Sequence, residues 1–267
     1  MTKLSAYLIA YNEAEKISAA IESIAWADEI ILADSSSTDG TAGIARELGA
    51  TVVQIPFEGF GQLRNKAVAF CAHEWIFSLD ADERCTPEAR DEILRLLAGT
   101  PAHDAYLVPR KNFFMGRWIR HSGWYPNFRQ PQLFRKEAMR YTDSPVHEGY
   151  ELLTAKPVGR LEHAIWQIPF RNFEEVVKKA NRYSTLGALK LVDKRVSMGS
   201  ALCHGIWSFL KHYVAKRGFL DGWAGFVIAL GNFEGTFYRY AKRFESQEAW
   251  PMPTQPPLSR PKQSSQA

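Results

Sequence analysis

Residues 74–83 read EWIFSLDADE, an apolar run that ends in three carboxylates within four residues, Asp80, Asp82 and Glu83. The run shows no clean alternation of apolar and polar side chains, which predicts a strand covered on both faces, as in a parallel sheet between helix layers. Ligands of such sheets bind at the C-terminal edge of the strands. The acidic group is therefore expected at a ligand-binding edge.

Three neighbouring carboxylates do not stay close together and charged without a cation nearby. Oxygen ligands of this kind suit Mg²⁺ or Mn²⁺, which usually bind through one or two carboxylates plus substrate phosphates. The alternative is a solvated acidic turn that caps a helix beginning near Pro87.

The surrounding sequence predicts a βαβ series. Strand-like runs LSAYLIA, EIILA, TVVQI and EWIFSL alternate with helical patterns at about residues 15–25, 40–48 and 62–71. Shorter strand candidates, DAYLVPR, RWIRH and PQLFR, are expected to extend the sheet on the acceptor side. The fold class is therefore α/β, with a mostly parallel sheet flanked by helices.

From about residue 172 the pattern becomes helical, with amphipathic segments in FEEVVKKANRYSTLGALKLV and at residues 201–214 and 219–240. The sequence after Trp250 is rich in proline, serine and glutamine, which predicts a disordered tail. We expect a catalytic domain over residues 1–170, a helical appendage over 171–248 and the tail over 249–267.

Composition indicates a globular protein: of 267 residues, 46% are apolar and 23% charged, with a net charge of +4. Three widely spaced cysteines, Cys71, Cys85 and Cys203, predict no disulfide framework and favour a reducing cytosol. The N-terminus lacks the pattern of a signal peptide, and the longest apolar stretch, residues 223–230, is far shorter than the roughly 20 residues of a spanning helix. No export and no membrane span are expected.

Two further loops carry candidate residues. Asp34 ends the second strand, where its carboxylate could accept hydrogen bonds from a base or ribose, or could form a turn; Asp39 is interpreted as a helix N-cap. Tyr11-Asn12-Glu13 follows the first strand, where a dinucleotide fold or a P-loop would carry glycines. Neither of those nucleotide folds is indicated.

Four motifs in this order, LIAYNEAEKI, DSSSTDGT, GQLRNKA and SLDADE, resemble the family 2 glycosyltransferases over roughly residues 4–87. The resemblance implies the GT-A fold. It places Tyr11, Glu13 and Asp34 against the nucleoside and Arg64 and Asn65 on the nucleotide side. It also identifies Asp80 and Asp82 as the DXD motif that binds Mg²⁺ or Mn²⁺, with Asp82 the direct ligand and Asp80 also on the nucleotide sugar.

The later segments GRWIRHSGWYPNFRQPQLFRK and SPVHEG are similar to the lipopolysaccharide core β-glucosyltransferase branch, although that branch usually has an acidic residue where Asn127 stands. The resemblance implies a UDP-sugar donor, with UDP-glucose first, and an inner-core heptose acceptor on the cytoplasmic face of the inner membrane. It places the catalytic base at the pair His147-Glu148, with Glu148 favoured. The alternative is a loop pair with Glu148 in solvent.

Aromatic and basic residues between the strand candidates suit a sugar with acidic groups, because guanidinium groups pair with phosphate. The acceptor candidates are Trp124, Tyr125 and Arg129, within a cluster that also holds Arg117, Trp118 and Arg120. An aromatic core with a basic rim is the alternative. His163 is either a third metal ligand or, as we favour, a packing residue.

The C-terminal helices mix Trp and Phe with Lys and Arg, as interfacial helices on an anionic membrane do; packing onto the catalytic domain is the alternative. Other glycan, lipid or peptide acceptors stay open, and the oligomeric state is not predicted. A sugar-1-phosphate nucleotidyltransferase is disfavoured because YNEAEK contains no glycine. A non-catalytic lipopolysaccharide-binding module is a further alternative, and in such a protein the carboxylates of DADE would have no function. No nucleic-acid partner is expected.

Overall fold

The computed structural model describes residues 2–142 and 149–250. The strands of these two segments are, in chain order, β1 (Leu4–Ala10), β2 (Glu29–Asp34), β3 (Thr51–Gln54), β4 (Trp75–Asp80), β5 (Glu83–Arg84), β6 (Ala105–Leu107), β7 (Arg110–Phe114), β8 (Arg117–Trp118), β9 (Pro131–Arg135), β10 (Met139–Thr142), β11 (Gly149–Leu152), β12 (Gly159–Arg160) and β13 (Ile165–Gln167). The α-helices are α1 (Ala14–Glu22), α2 (Thr41–Glu47), α3 (Phe60–Phe70), α4 (Pro87–Ala98), α5 (Phe173–Leu189), α6 (Met198–Leu210) and α7 (Trp223–Glu245).

Seven strands form the main sheet in the order β12-β6-β9-β4-β1-β2-β3. Strands β4, β1, β2 and β3 are mutually parallel, β9 is antiparallel to its neighbours β4 and β6, and β12 runs parallel to β6. A mostly parallel sheet flanked by helices confirms the predicted fold class.

Both faces of the sheet are covered. On one face, Leu8 and Phe77 pack with side chains of α1, α2 and α4, including Ile17. On the other, Tyr7 and Ile31 belong to a cluster with α3 and β10. Every residue of β1 is buried, which is why LSAYLIA carries no polar face.

The predicted extension of the sheet is right for two strands and wrong for the third. DAYLVPR and PQLFR supply β6 and β9, whereas RWIRH supplies β8, which lies in a separate four-stranded sheet of order β5-β13-β7-β8. The short β8 pairs antiparallel with β7 through Phe113 and Trp118. This small sheet carries the end of the DADE segment away from the main sheet.

The described chain from Phe173 onward is helical, as predicted. Helix α7 packs against both α5 and α6. Gly205 of α6 allows close approach, since a Cβ there would lie 2.9 Å from the Phe233 ring. A π-helical turn, Lys211–Ala215, and a 3₁₀ turn, Gly218–Asp221, link α6 to α7. Within residues 2–142 and 149–250, no helix combines the length and apolar character that crossing a membrane requires.

Candidate active site

A cavity of about 1100 Å³ opens between the C-terminal edge of the main sheet and the helices α5 and α7. Its sheet side includes Tyr11, Glu13, Asp80 and Asp82. Strand register explains the grouping, because Ile9 of β1 lies beside Asp80 of β4 in adjacent parallel strands. The acidic strand end therefore faces a large cavity, as expected.

Hydrogen bonds tie the loops after β1 and β2 together. The amide of Asn12 donates to Oγ of Ser37 at 2.9 Å, and the amide of Thr38 donates to Oδ1 of Asn12 at 2.8 Å. Asn12 adopts a φ of 55°, in the left-handed region that Asn tolerates better than most residues. The bonds hold a turn that presents Tyr11, which is 62% exposed, at the cavity rim.

Asp39 links two helix N-termini. Its carboxylate accepts hydrogen bonds from the amides of Ala14 in α1 and Thr41 in α2, at 3.0 and 3.1 Å. The predicted capping role is confirmed by these contacts, although Gly40 occupies the N-cap position itself. Both helices thus begin at the same carboxylate.

Two arginines balance two of the three DADE carboxylates. Arg64 donates to Oδ1 of Asp80 at 2.7 Å, and Arg110 pairs with Oε1 of the fully buried Glu83 at 2.5 Å. Burial alone would raise the pKa of Asp80, but the Arg64 guanidinium holds it below its usual value. The expectation that this cluster needs a cation is therefore wrong for Glu83, because the protein supplies the opposing charge.

Asp82 has no such partner. Its closest described polar neighbour is the Gln167 amide nitrogen, 3.4 Å from both carboxylate oxygens. Burial and the neighbouring Asp80 carboxylate raise the pKa of Asp82. A side chain with these properties gains from any cation that approaches from the cavity.

The donor set suits a hard divalent cation. Asp82 has both oxygens weakly held, and no described residue donates to Oδ2 of Asp80. Across the described residues no group of three His, Cys, Asp or Glu side chains could hold a metal ion by itself. Phosphate oxygens and water could supply the remaining ligands, the usual arrangement for Mg²⁺.

Two cations also line the cavity near these carboxylates. Arg129 and Lys179 line it, and neither forms an ion pair with a described carboxylate. The Lys179 ammonium lies 5.0 Å from the centre of the Phe170 ring. Burial lowers the pKa of Lys179, although Asp82 opposes that shift. Cationic charge without a carboxylate partner among the described residues suits an anionic ligand.

The structure separates the predicted nucleotide-binding residues. Tyr11, Glu13, Arg64 and Asp80 line the cavity. Burial raises the pKa of Glu13 despite an ion pair with Lys16 at 3.3 Å. These four side chains are placed where a ligand in the cavity could reach them.

Asp34 and Asn65 have internal partners instead. Asp34 is fully buried and accepts hydrogen bonds from Ser37 and from Gln54, the latter at 2.8 Å, which is the turn-forming alternative. Asn65 exchanges two hydrogen bonds with the backbone of Tyr141, at 2.8 and 3.0 Å. The expected position of Asn65 on the nucleotide side is corrected, because this exchange joins α3 to β10.

The predicted acceptor residues also divide. Trp124 and Arg129 line the large cavity, and Trp124 packs edge-on against Phe114. Tyr125 does not line it; its ring lies 5.5 Å from that of Trp118 on the outer surface. The single predicted cluster is therefore two groups, one at the cavity and one around Trp118.

The predicted base and its neighbour, Glu148 and His147, lie outside the described residues, as does the segment 251–267 of the predicted tail. His163 does not line the cavity, and its ring nitrogen Nδ1 lies 3.0 Å from the Glu92 carboxylate of α4. Its described partner is thus a carboxylate of α4, away from Asp80 and Asp82.

Sequence reasoning missed Arg110, Gln167 and Lys179. Arg110 is 27 residues from Glu83 and reaches it only because the small sheet brings β5 and β7 near each other. Lys179 looks like one of several exposed lysines of an amphipathic helix. A buried Glu83 needs an opposing charge in the interior, but no local sequence pattern identifies Arg110 as its partner.

A mostly parallel sheet whose acidic strand end faces a large cavity is the architecture of a GT-A enzyme. A family model described as Glycosyl transferase family 2 matches residues 5–152. A glycosyltransferase of Rickettsia felis is 33% identical over 258 residues, covering 92% of this chain and 91% of that protein. The chain belongs to glycosyl transferase family 2 and is a glycosyltransferase.

Two further similarities are to a protein with a more specific name and to a solved structure that matches a smaller part of the chain. The lipopolysaccharide core biosynthesis glycosyltransferase LpsC of Rhizobium meliloti is 30% identical over 258 residues, covering 91% of this chain and 92% of that protein. Glucosyl-3-phosphoglycerate synthase from Mycobacterium tuberculosis, solved with Mn²⁺, UDP and glucosyl-3-phosphoglycerate, is 27% identical with a TM-score of 0.35. That likeness covers 42% of this chain and 44% of that one.

Proposed function

We propose that the protein is an inverting glycosyltransferase that moves a sugar, glucose first, from a UDP-sugar to an inner-core heptose of lipopolysaccharide. The observation that carries the donor half is the cavity itself, where Asp82 has no arginine partner and Arg129 and Lys179 have no carboxylate partner among the described residues. A nucleoside diphosphate with a divalent cation matches both sets of charges. The similarity to LpsC supports the acceptor half.

Asp80 and Asp82 would hold Mg²⁺ or Mn²⁺, which would neutralise charge developing on the departing diphosphate. Arg64 keeps Asp80 charged and fixed in place. Arg129 and Lys179 would take up the remaining phosphate charge by charge-assisted hydrogen bonds. Tyr11 and Glu13 would contact the nucleoside from the rim of the cavity.

Glu148 would act as the general base, as the family resemblance implies. Attack at the anomeric carbon requires removal of a proton from the acceptor hydroxyl, and a positioned base contributes typically 10²–10⁴-fold. The new glycosidic bond would form as the bond to the diphosphate breaks, which inverts the configuration. Trp124, beside Arg129 on the cavity wall, would contact the acceptor sugar.

The donor half is tested by titration calorimetry of UDP with and without Mn²⁺. The Asp82→Ala variant is compared with Asp91→Ala, a matched control on the exposed face of α4. We expect Mn²⁺-dependent binding that is lost in Asp82→Ala and kept in the control. UDP binding that is the same with and without Mn²⁺ would exclude the metal, and no UDP binding at all would exclude this donor.

The chemistry and the acceptor are tested by turnover of UDP-glucose with lipopolysaccharide truncated to its inner core. Glu148→Gln should bind UDP as the wild type does and lose at least a hundredfold in turnover, since only the base is removed. Equal turnover by the two proteins would reject Glu148. Turnover only on peptide or on other glycans would reject the heptose and leave the transferase assignment intact.

A further inference from the structure

The outer surface of α6 and the turn after it is apolar. Leu202, Ile206, Leu210 and Val214 recur every four residues and are 47%, 46%, 44% and 55% exposed. Beside them Trp207 is 66% exposed and has no aromatic partner among the described rings. Side chains four apart lie on one helix face. Large apolar side chains at that spacing are unusual on a face that meets only water.

A second apolar row continues this surface. Phe219, Trp223, Phe226 and Leu230 are each at least 39% exposed. Rings join the two rows, because Phe226 lies 5.8 Å from Tyr213, which also contacts Phe219. We call the two rows together the apolar face.

The exposed charges between the two rows of the apolar face have one sign. Lys211, Lys216 and Arg217 are exposed between the two rows. Across residues 198–233 the only acidic residue is Asp221, which is buried and accepts hydrogen bonds from the backbone of the segment around His121. Apolar surface with cations between its two rows complements an anionic, apolar partner.

Helix α7 separates this face from the cavity. Trp223, Phe226 and Leu230 are exposed, whereas Ile228 and Asn232 line the cavity from roughly the opposite side of the same helix. A helix with its side chains is about 10–12 Å across. The cavity therefore lies only about one helix diameter from the apolar face.

We propose that the apolar face docks onto the surface of an anionic lipid bilayer, lying in the interface without crossing it. The Trp and Phe side chains would enter the boundary between headgroups and acyl chains, with Lys211 and Arg217 at the headgroups. The bilayer contact does not depend on the donor. Its consequence rests on the proposed function: an acceptor anchored in the same bilayer would be presented near the cavity.

The experiment is sedimentation of the full chain with vesicles of phosphatidylglycerol and phosphatidylcholine, and with phosphatidylcholine alone. We expect binding to the anionic vesicles that weakens with added salt. Trp207→Ser should weaken it about tenfold, since one large apolar side chain leaves the lipid. Phe70→Ser, at a residue 56% exposed at the end of α3, is the matched control and should bind as the wild type does.

Charge is tested separately with Lys211→Gln/Arg217→Gln, which should weaken binding to anionic vesicles by roughly thirtyfold, against Lys3→Gln/Arg46→Gln as the control. Equal loss in both charge variants, or a wild type that stays in the soluble fraction, would overturn the proposal. So would light scattering that shows a dimer which Trp207→Ser dissociates, because the face would then cover a second copy. Transferase activity on a soluble acceptor is unaffected by any of these outcomes.

Discussion

The sheet edge and the α5 wall both bring charged side chains to the cavity, but the two regions balance charge differently. At the sheet edge, Glu83 and Asp80 are each paired with a buried arginine. On the wall, Lys179 has no described carboxylate partner, and Asp82 opposite it has only a distant amide. Charges that hold the fold together are matched within the protein, and the charges left over face the cavity.

This comparison predicts that removing a matched charge damages stability. Glu83→Gln leaves Arg110 buried without its counterion, and breaking such a pair costs about 3–5 kcal/mol in the free energy of unfolding. Glu58→Gln breaks the exposed pair with Lys66 and should cost at most about 1 kcal/mol. Urea denaturation of both variants measures the difference. Similar unfolding midpoints would mean that the Glu83 pair is not structural.

Removing an unmatched charge should damage activity instead. Asp82→Asn keeps the shape of the side chain and removes a charge that burial already disfavours. We expect turnover to fall by about 10³-fold, equivalent to several kcal/mol of lost transition-state stabilisation, without a lower midpoint of unfolding. Turnover and thermal denaturation on the same preparation check both parts. A lower unfolding midpoint of Asp82→Asn with normal turnover would contradict this prediction, because Asp82 would then stabilise the fold and not act in catalysis.

The wall offers a smaller and more selective test. Lys179→Met should weaken UDP binding about tenfold, in line with the loss of a hydrogen bond to a charged group, and leave uridine binding unchanged. Lys178→Met is the control, because the ammonium group of Lys178 pairs with Glu174 at 2.5 Å on the surface. Calorimetry with both ligands measures the effect. A parallel loss of uridine binding would place Lys179 at the nucleoside and not at the diphosphate.

The comparison of matched and unmatched charges also shows which features of the fold could be predicted from the sequence. The strands around LSAYLIA and WIFSL and the position of DADE follow from local pattern, because a buried parallel strand is apolar on both faces. The pairing of Glu83 with Arg110 depends on where the small sheet folds back, and no local pattern encodes it. RWIRH was misplaced for the same reason: a short strand joins whichever edge the tertiary fold leaves open.

The acidic residues of the candidate site could be predicted from the sequence. Its basic residues could be predicted only in part. Asp80 and Asp82 can be recognised from the sequence because they cluster at the end of a predicted strand. Lys179 follows Lys178 on α5, and Lys178 pairs with Glu174 on the surface, so spacing alone does not distinguish Lys179. Asn65 was placed on the nucleotide side by its motif, but its amide group binds the backbone of Tyr141. A motif identifies a position in the chain, and the packing around it decides which way the side chain points.

The smallest expected effect concerns the π-helical turn after α6, where His212 lies between Lys211 and Lys216. Burial lowers the pKa of His212 from its usual 6.5, with Lys216 and Lys211 adding to the shift. Below about pH 6.5 the unfolded chain therefore takes up a proton that the folded protein resists, so this group lowers stability as pH falls. His212→Gln removes the contribution and should lose less stability between pH 7.5 and 5.5 than the wild type does. Urea midpoints at both pH values measure it, and equal losses in the two proteins would show that His212 titrates alike in the folded and unfolded states.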